Sequence, residues 1–202
     1  ERANDRVWED PRAQLHIADG RVFLSQAPEG AYDIITLEPP PPRAAGVAAL
    51  YSVEFYAAAR DRLREGGALA QWLPLHGMTA EELRMLTRTF LRVFPEGELI
   101  RLKENEAALL GVRGAGAPPE ELARRAAVPA VAEHLRGIDV EVTKLPRAPS
   151  NRLAEAVGRG PVVTDDHPRI EHFAAALPWA PGEESALRRR FLAPLFDRSG
   201  RP

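Results

Sequence analysis

The apolar run Tyr32-Asp-Ile-Ile-Thr-Leu37 is closed by Glu38 and four consecutive prolines. Ile34, Ile35 and Leu37 read as a strand buried on both faces, as in a parallel sheet covered by helices, and proline cannot continue a β ladder. The strand is therefore expected to stop at Glu38. Before it, Leu15, Ile17 and their neighbours predict a short strand ending at Asp19-Gly20, followed by one or two helical turns over Arg21–Ala27. After it, Pro39–Gly46 reads as an irregular loop. Val47–Leu63 has helical spacing, with Leu50, Phe55, Tyr56, Ala59 and Leu63 on one face. Glu65-Gly66-Gly67 is expected to stop that helix through a left-handed cap, and Ala68–Leu73 predicts a third strand.

Thr79-Ala-Glu-Glu82 is a capping box, in which hydroxyl and carboxylate satisfy each other's exposed backbone donors. The helix it opens carries Leu83, Leu86, Phe90 and Phe94 on one stripe and ends at Pro95 and Gly97. Leu99–Leu102 and Ala107–Val112 read as an antiparallel hairpin at the sheet's edge. From Gly114 the pattern changes. Pro118-Pro119 opens a helix that Pro129 interrupts, and Ser150 is expected to cap a short helix through Val157. Pro161–Asp166 predicts a brief strand and turn, Arg188–Arg190 a helical tail ending near Phe196, and Asp197–Pro202 a disordered end. The chain thus divides into an α/β part, 1–113, and an appended, mostly helical region with a short returning strand, 114–202.

Composition narrows the function classes. A chain of 202 residues with 45% apolar content supports one substantial core. A net charge of −2 and a pI near 6.3 give no basic footprint for nucleic acid. Cysteine is absent, which excludes disulfides and thiolate metal sites and fits a reducing compartment. No stretch approaches the roughly 18 apolar residues of a membrane span, and the charged N-terminus lacks a signal-peptide core. The expectation is a soluble, cytoplasmic domain.

In an open α/β sheet, ligands bind beyond the carboxyl ends of the strands. Glu38, held there by a polyproline turn, is placed for chemistry, although the residue alone is equally the polar end of a strand. His16, His76, His134, His167 and His172 match no standard zinc spacing, so no metal is expected. Asp165-Asp166 reads either as a cap on the pocket or as a plain turn.

Several motifs occur in one order: Asp10-Pro-Arg, Leu15-His-Ile-Ala-Asp-Gly20, Tyr32-Asp-Ile-Ile, Leu50-Tyr-Ser-Val-Glu-Phe-Tyr56, Leu63-Arg-Glu-Gly-Gly67 and Gln71-Trp72. In that order and spacing they resemble the spermidine synthase (polyamine aminopropyltransferase) family. Thr164-Asp-Asp-His-Pro-Arg-Ile-Glu171 resembles the closing motif of its bacterial membrane-fused relatives. The resemblance implies a partial Rossmann-like sheet, the C-terminal part of a class I methyltransferase-like fold. It also implies S-adenosylmethionine or its decarboxylated form as the cosubstrate and a small-molecule amine as acceptor. It leaves a homodimer and a fused membrane region outside this chain open.

By the same resemblance, Asp19 would accept from the adenine amino group, Gly20 would let the base approach, and Leu50 would wall the adenine. Gln71 would line the acceptor pocket. Glu38 occupies the position of the catalytic aspartate, which orients the attacking amine and takes its proton. Here glutamate replaces aspartate, and Pro41 stands where the synthases carry a second acidic residue for the diamine. Glu38-Pro39-Pro40 also resembles the Asp/Asn-Pro-Pro-aromatic turn of amine methyltransferases, with Pro41 in place of the aromatic. A third reading is a non-catalytic fold remnant serving assembly or regulation. The glycine-rich turn and the ribose-holding acid belong to the first two strands of this fold, and nothing before Asp10 supplies them. Gly114-Ala-Gly116 reads as a linker. The expectation is a polypeptide extending upstream by at least two strand-helix units, with the Leu15 segment displaced, or the sheet completed by a partner chain, in an isolated fragment.

Overall fold

The computed structural model describes residues 7–42, 44–75, 78–103, 106–171 and 191–196. Five strands form one sheet in the order β1-β2-β4-β3-β5: β1 Tyr32–Leu37, β2 Leu63–Pro74, β3 Glu98–Lys103, β4 Glu106–Val112 and β5 Arg147–Ala148. β1 and β2 run parallel, with Ile35 opposite Leu69 and Leu37 opposite Gln71. The remaining pairs are antiparallel. The hairpin β3–β4 forms as expected, but the short β5 pairs beyond β3, so the hairpin does not make the rim. β1 ends at Leu37, immediately before Glu38, as the proline block requires.

Helices α1 Gly20–Gln26, α2 Val53–Arg62 and α3 Ala80–Val93 supply the apolar faces around the sheet. Tyr51, Phe55, Tyr56, Leu69, Leu83, Leu86, Phe90 and Leu109 are all buried. Three aromatic rings run through this core, Tyr56 edge-on to Phe90 at 5.1 Å and Phe90 stacked with Phe94 at 5.0 Å. The capping box at Thr79 forms in full: Thr79 Oγ1 accepts from Glu82 N–H, and Glu82 accepts from Thr79 N–H. Helices α4 Pro119–Ala126, α5 Pro129–Gly137 and α6 Ser150–Val157 follow the hairpin, and a final helical stretch spans 191–196. Arg88 on α3 pins α6, its Nη1 donating to the carbonyls of Val157 at 3.1 Å and Arg159 at 3.4 Å.

Several expectations are corrected. The segment Leu15–Ile17 has no regular structure, with Leu15 83% and Ile17 97% exposed. A strand forms only against a partner ladder, and the Leu15 segment pairs with none of the five strands. β1 is not buried on both faces: Ile35 is buried, but Ile34 is 66% exposed, on a strand that among the described residues stands at the edge of the sheet. The helix expected over Val47–Leu63 is broken. A 3₁₀ turn covers Val47–Tyr51, then Ser52 caps α2 by accepting from Phe55 N–H at 3.1 Å. The Gly66-Gly67 pair does not cap that helix. The chain is already extended at Leu63, and Gly66 at φ 76° lies within the irregularity where β2 shifts register against β1. Ser150 is the first residue of α6 and makes no cap bond. Pro161–Asp166 forms no strand, and the returning strand is β5 instead. The turn at Glu104 and Asn105, Arg188–Arg190 and Asp197–Pro202 lie outside the described residues.

Gly111 in β4 lies directly under Phe94, where an added Cβ would overlap the ring. Gly111→Ala is therefore expected to lower stability by about 1–3 kcal/mol through overpacking. Urea unfolding should show a lower midpoint at unchanged slope; an unchanged midpoint would mean the Phe94 ring gives way freely.

Candidate functional site

Helix α1, strand β1 and the loop that follows it enclose a cleft of roughly 640 Å³, within the range of small-molecule sites. Asp19, Gly20, Leu37, Pro40 and Leu50 all line it. Its walls are mainly apolar, with Asp19 and Arg21 the charged residues among its lining.

Asp19 is the N-cap of α1: its backbone is extended and its Oδ1 accepts from Val22 N–H at 2.9 Å. That bond satisfies one of the unpaired amides that open every helix. A carboxylate with one oxygen in the cap keeps the other for an amino donor. Gly20 has open space where a Cβ would stand, so a flat ligand can approach the backbone there. Leu50 faces the cleft from the 3₁₀ turn, half-buried. Three residues assigned by resemblance to one ligand therefore share one cavity.

Glu38 is exposed at the C-terminal end of β1, between the lining residues Leu37 and Pro40. Gln71 is not at the cleft surface. It is fully buried within β2, opposite Leu37, and its amide approaches the Tyr51 hydroxyl without a well-formed hydrogen bond. Tyr51 O–H donates to the Pro40 carbonyl at 3.4 Å, tying the proline turn to the core. Burial pushes the Tyr51 hydroxyl up and the adjoining Gln71 opposes this, so the phenol stays neutral and serves as a donor.

At the lip of the cleft, Arg21 pairs with Asp165 through both carboxylate oxygens. The Arg21 guanidinium holds Asp165 below the usual carboxylate range, against an opposing effect of burial and with help from the Ser52 hydroxyl. Asp165 thus does more than turn the chain, while the turn expected there also forms, with His167 N–H donating to Thr164 Oγ1 at 3.1 Å. Sequence reasoning assigned no role to Arg21 or Tyr51. Arg21 stands 144 positions from its partner, and no local pattern connects them. Tyr51 lies within a recognised motif, and its neighbour Ser52, a cap residue, was the signal that the helix breaks there.

His16 stacks obliquely near Phe23 at 4.7 Å, His134 is exposed on α5, and His167 is exposed in its turn. His76 and His172 lie outside the described residues. Among the described residues, no group of three or more His, Cys, Asp or Glu is arranged to hold a metal ion. No described helix is long and apolar enough to cross a membrane.

Residues 2–95 match the spermine/spermidine synthase domain. Spermidine synthase of Coffea arabica is 36% identical over 74 residues, covering 34% of this chain and 23% of that protein. Spermine synthase of Arabidopsis thaliana is 34% identical over 91 residues, covering 43% and 25%. The polyamine aminopropyltransferase of Nitrosomonas europaea is 38% identical over 64 residues, covering 32% and 19%. The match thus spans about a quarter of the length of these relatives or less. The crystal structure of a probable spermidine synthase from Corynebacterium glutamicum superposes with a TM-score of 0.52 at 12% identity, covering 77% of this chain and 55% of that one. At that identity the likeness establishes the fold, a class I methyltransferase-like α/β sheet. The ordered motifs, the matched domain and the fold agree: over residues 2–95, a little under half of its length, the chain is similar to the spermine/spermidine synthase domain.

Proposed function

We propose that this chain carries part of the site of an aminopropyltransferase, working on an S-adenosyl cosubstrate and a small-molecule amine. The observation that carries the reading is the convergence of Asp19, Gly20 and Leu50 on one cleft that Leu37 and Pro40, the residues on either side of Glu38-Pro39, also line. The adenine lies between Gly20 and Leu50, with Asp19 accepting from its amino group. Glu38 orients the amine and takes a proton as the nitrogen lone pair attacks the carbon next to the sulfonium. The carbon–sulfur bond breaks, its electrons pass to sulfur, and a neutral thioether leaves. An amine is nucleophilic only when unprotonated, so a carboxylate at this point serves both binding and proton transfer.

The reading includes further strands along the open side of β1. An edge strand presents unpaired backbone donors and acceptors, and Ile34 on β1 exposes apolar surface, as do Leu15 and Ile17 before α1. Strands paired there would carry the glycine-rich turn that holds the rest of the cosubstrate. The residues in hand therefore supply part of the contacts. Residues 1–202 alone are expected to bind S-adenosylmethionine more weakly than ~10 μM, about −7 kcal/mol; calorimetry finding tighter binding would show that the cleft is already complete.

Two measurements on the enzyme with its sheet completed test the chemistry. Glu38→Gln keeps the shape but cannot take a proton, so transfer should fall ~100-fold or more while cosubstrate affinity holds. Unchanged turnover would remove Glu38 from the mechanism. Assays with each form of the cosubstrate separate the alternatives. Turnover with the decarboxylated form is expected. Turnover with S-adenosylmethionine itself would favour the methyltransferase suggested by Glu38-Pro39-Pro40, and turnover with neither would favour a non-catalytic role.

A further inference from the structure

The segment 161–171 contains no strand and no α-helix, yet it is stitched to four parts of the molecule. Val163 N–H donates to Thr89 Oγ1 on α3 at 3.0 Å, and its carbonyl accepts from Val53 N–H at the start of α2, also at 3.0 Å. Asp165 N–H donates to Glu54 Oε2 at 3.0 Å. These bonds bring two carboxylates from far along the chain against Arg21 and Gly46, which line the cleft. Asp165 engages the Arg21 guanidinium through both oxygens, and Arg21 Nη1 also donates to the Ala49 carbonyl at 2.9 Å. Glu171 Oε1 accepts from Gly46 N–H at 2.9 Å.

Gly46, at φ 77°, opens the 3₁₀ turn, and Ala49 immediately precedes Leu50. The stretch 46–49 is therefore held at both ends, at Gly46 by Glu171 and at Ala49 by Asp165 acting through Arg21. The Arg21 and Asp165 side chains are 30% and 38% exposed. A pair so accessible to water adds little to overall stability. Its consequence lies in geometry: a planar guanidinium that shares one carboxylate and one carbonyl sets the distance between them.

We propose that Asp165 and Glu171 are positioning residues that fix the Gly46–Leu50 wall of the cleft and thereby set its affinity for the nucleoside. This rests on the nucleoside reading of the cleft given above. Without the two carboxylates the wall samples open arrangements, and apparent affinity falls by the fraction of molecules in the closed one. The chemical step at Glu38 is not touched by either residue. The effect therefore belongs in binding constants and the cosubstrate KM more than in kcat.

The test uses the full natural polypeptide and its Asp165→Asn, Glu171→Gln and Asp165→Glu variants, each checked for an unchanged far-UV spectrum. Two readouts are taken: amide hydrogen exchange over 46–51, and calorimetric affinity for 5′-methylthioadenosine as a nucleoside probe. In Asp165→Asn and Glu171→Gln, exchange over 46–51 should quicken, and probe affinity should fall ~10-fold if the closed wall drops to a tenth of the population. Asp165→Glu, which keeps the carboxylate, should recover most of both. Unchanged exchange, or faster exchange with unchanged affinity, would overturn the clamp. If the unmodified protein binds no probe while its exchange still responds to Asp165→Asn, the nucleoside reading of the cleft fails, and this proposal with it.

Discussion

The parallel ladder between β1 and β2 is the constraint on which the site depends. Among the described strands β1 pairs with β2 alone, so its place in the sheet is set by five register pairs, ending with Leu37 opposite Gln71. That last pair decides where the proline turn starts, and the turn decides where Glu38 stands. Proline offers no amide to a ladder, so the strand cannot extend and carry the carboxylate elsewhere. Tyr51 then holds the turn from beneath through the Pro40 carbonyl. A slip of one residue in the ladder would exchange the buried and exposed faces of β1 and move Ile35 out of the core.

Around this ladder the cleft is assembled from two kinds of support. α1 is held locally: Asp19 caps it, and the same carboxylate faces the cavity. The loop 39–50 is held from a distance, by Tyr51 from the core and by Arg21, Asp165 and Glu171 at the lip. The prolines restrict its first half by fixing φ, while the second half has no such stiffness and takes its shape from side chains elsewhere. The region after Gly114 reaches this wall through its segment 161–171, whose Asp165 and Glu171 bond to the lining residues Arg21 and Gly46.

Much was legible from the sequence because it depends on neighbours along the chain. The stop of β1 follows from proline chemistry, and α3 follows from a hydroxyl and a carboxylate three residues apart. The β3–β4 hairpin follows from two apolar runs around a polar turn. The family motifs identified Asp19, Gly20 and Leu50, and these three do meet at one cleft. Tertiary structure decided what pairs with what. Leu15–Ile17 has the composition of a strand but no ladder to join, and a strand's stability comes from its partner. Gln71 is polar yet buried, because the register sets it inside the sheet between Leu37 of β1 and Leu109 of β4. Arg21 and Asp165 are unremarkable until the fold brings them together across 144 positions, a distance over which no propensity or spacing carries information. Local chemistry is written along the chain; long-range pairing is a property of packing, and only the folded molecule displays it.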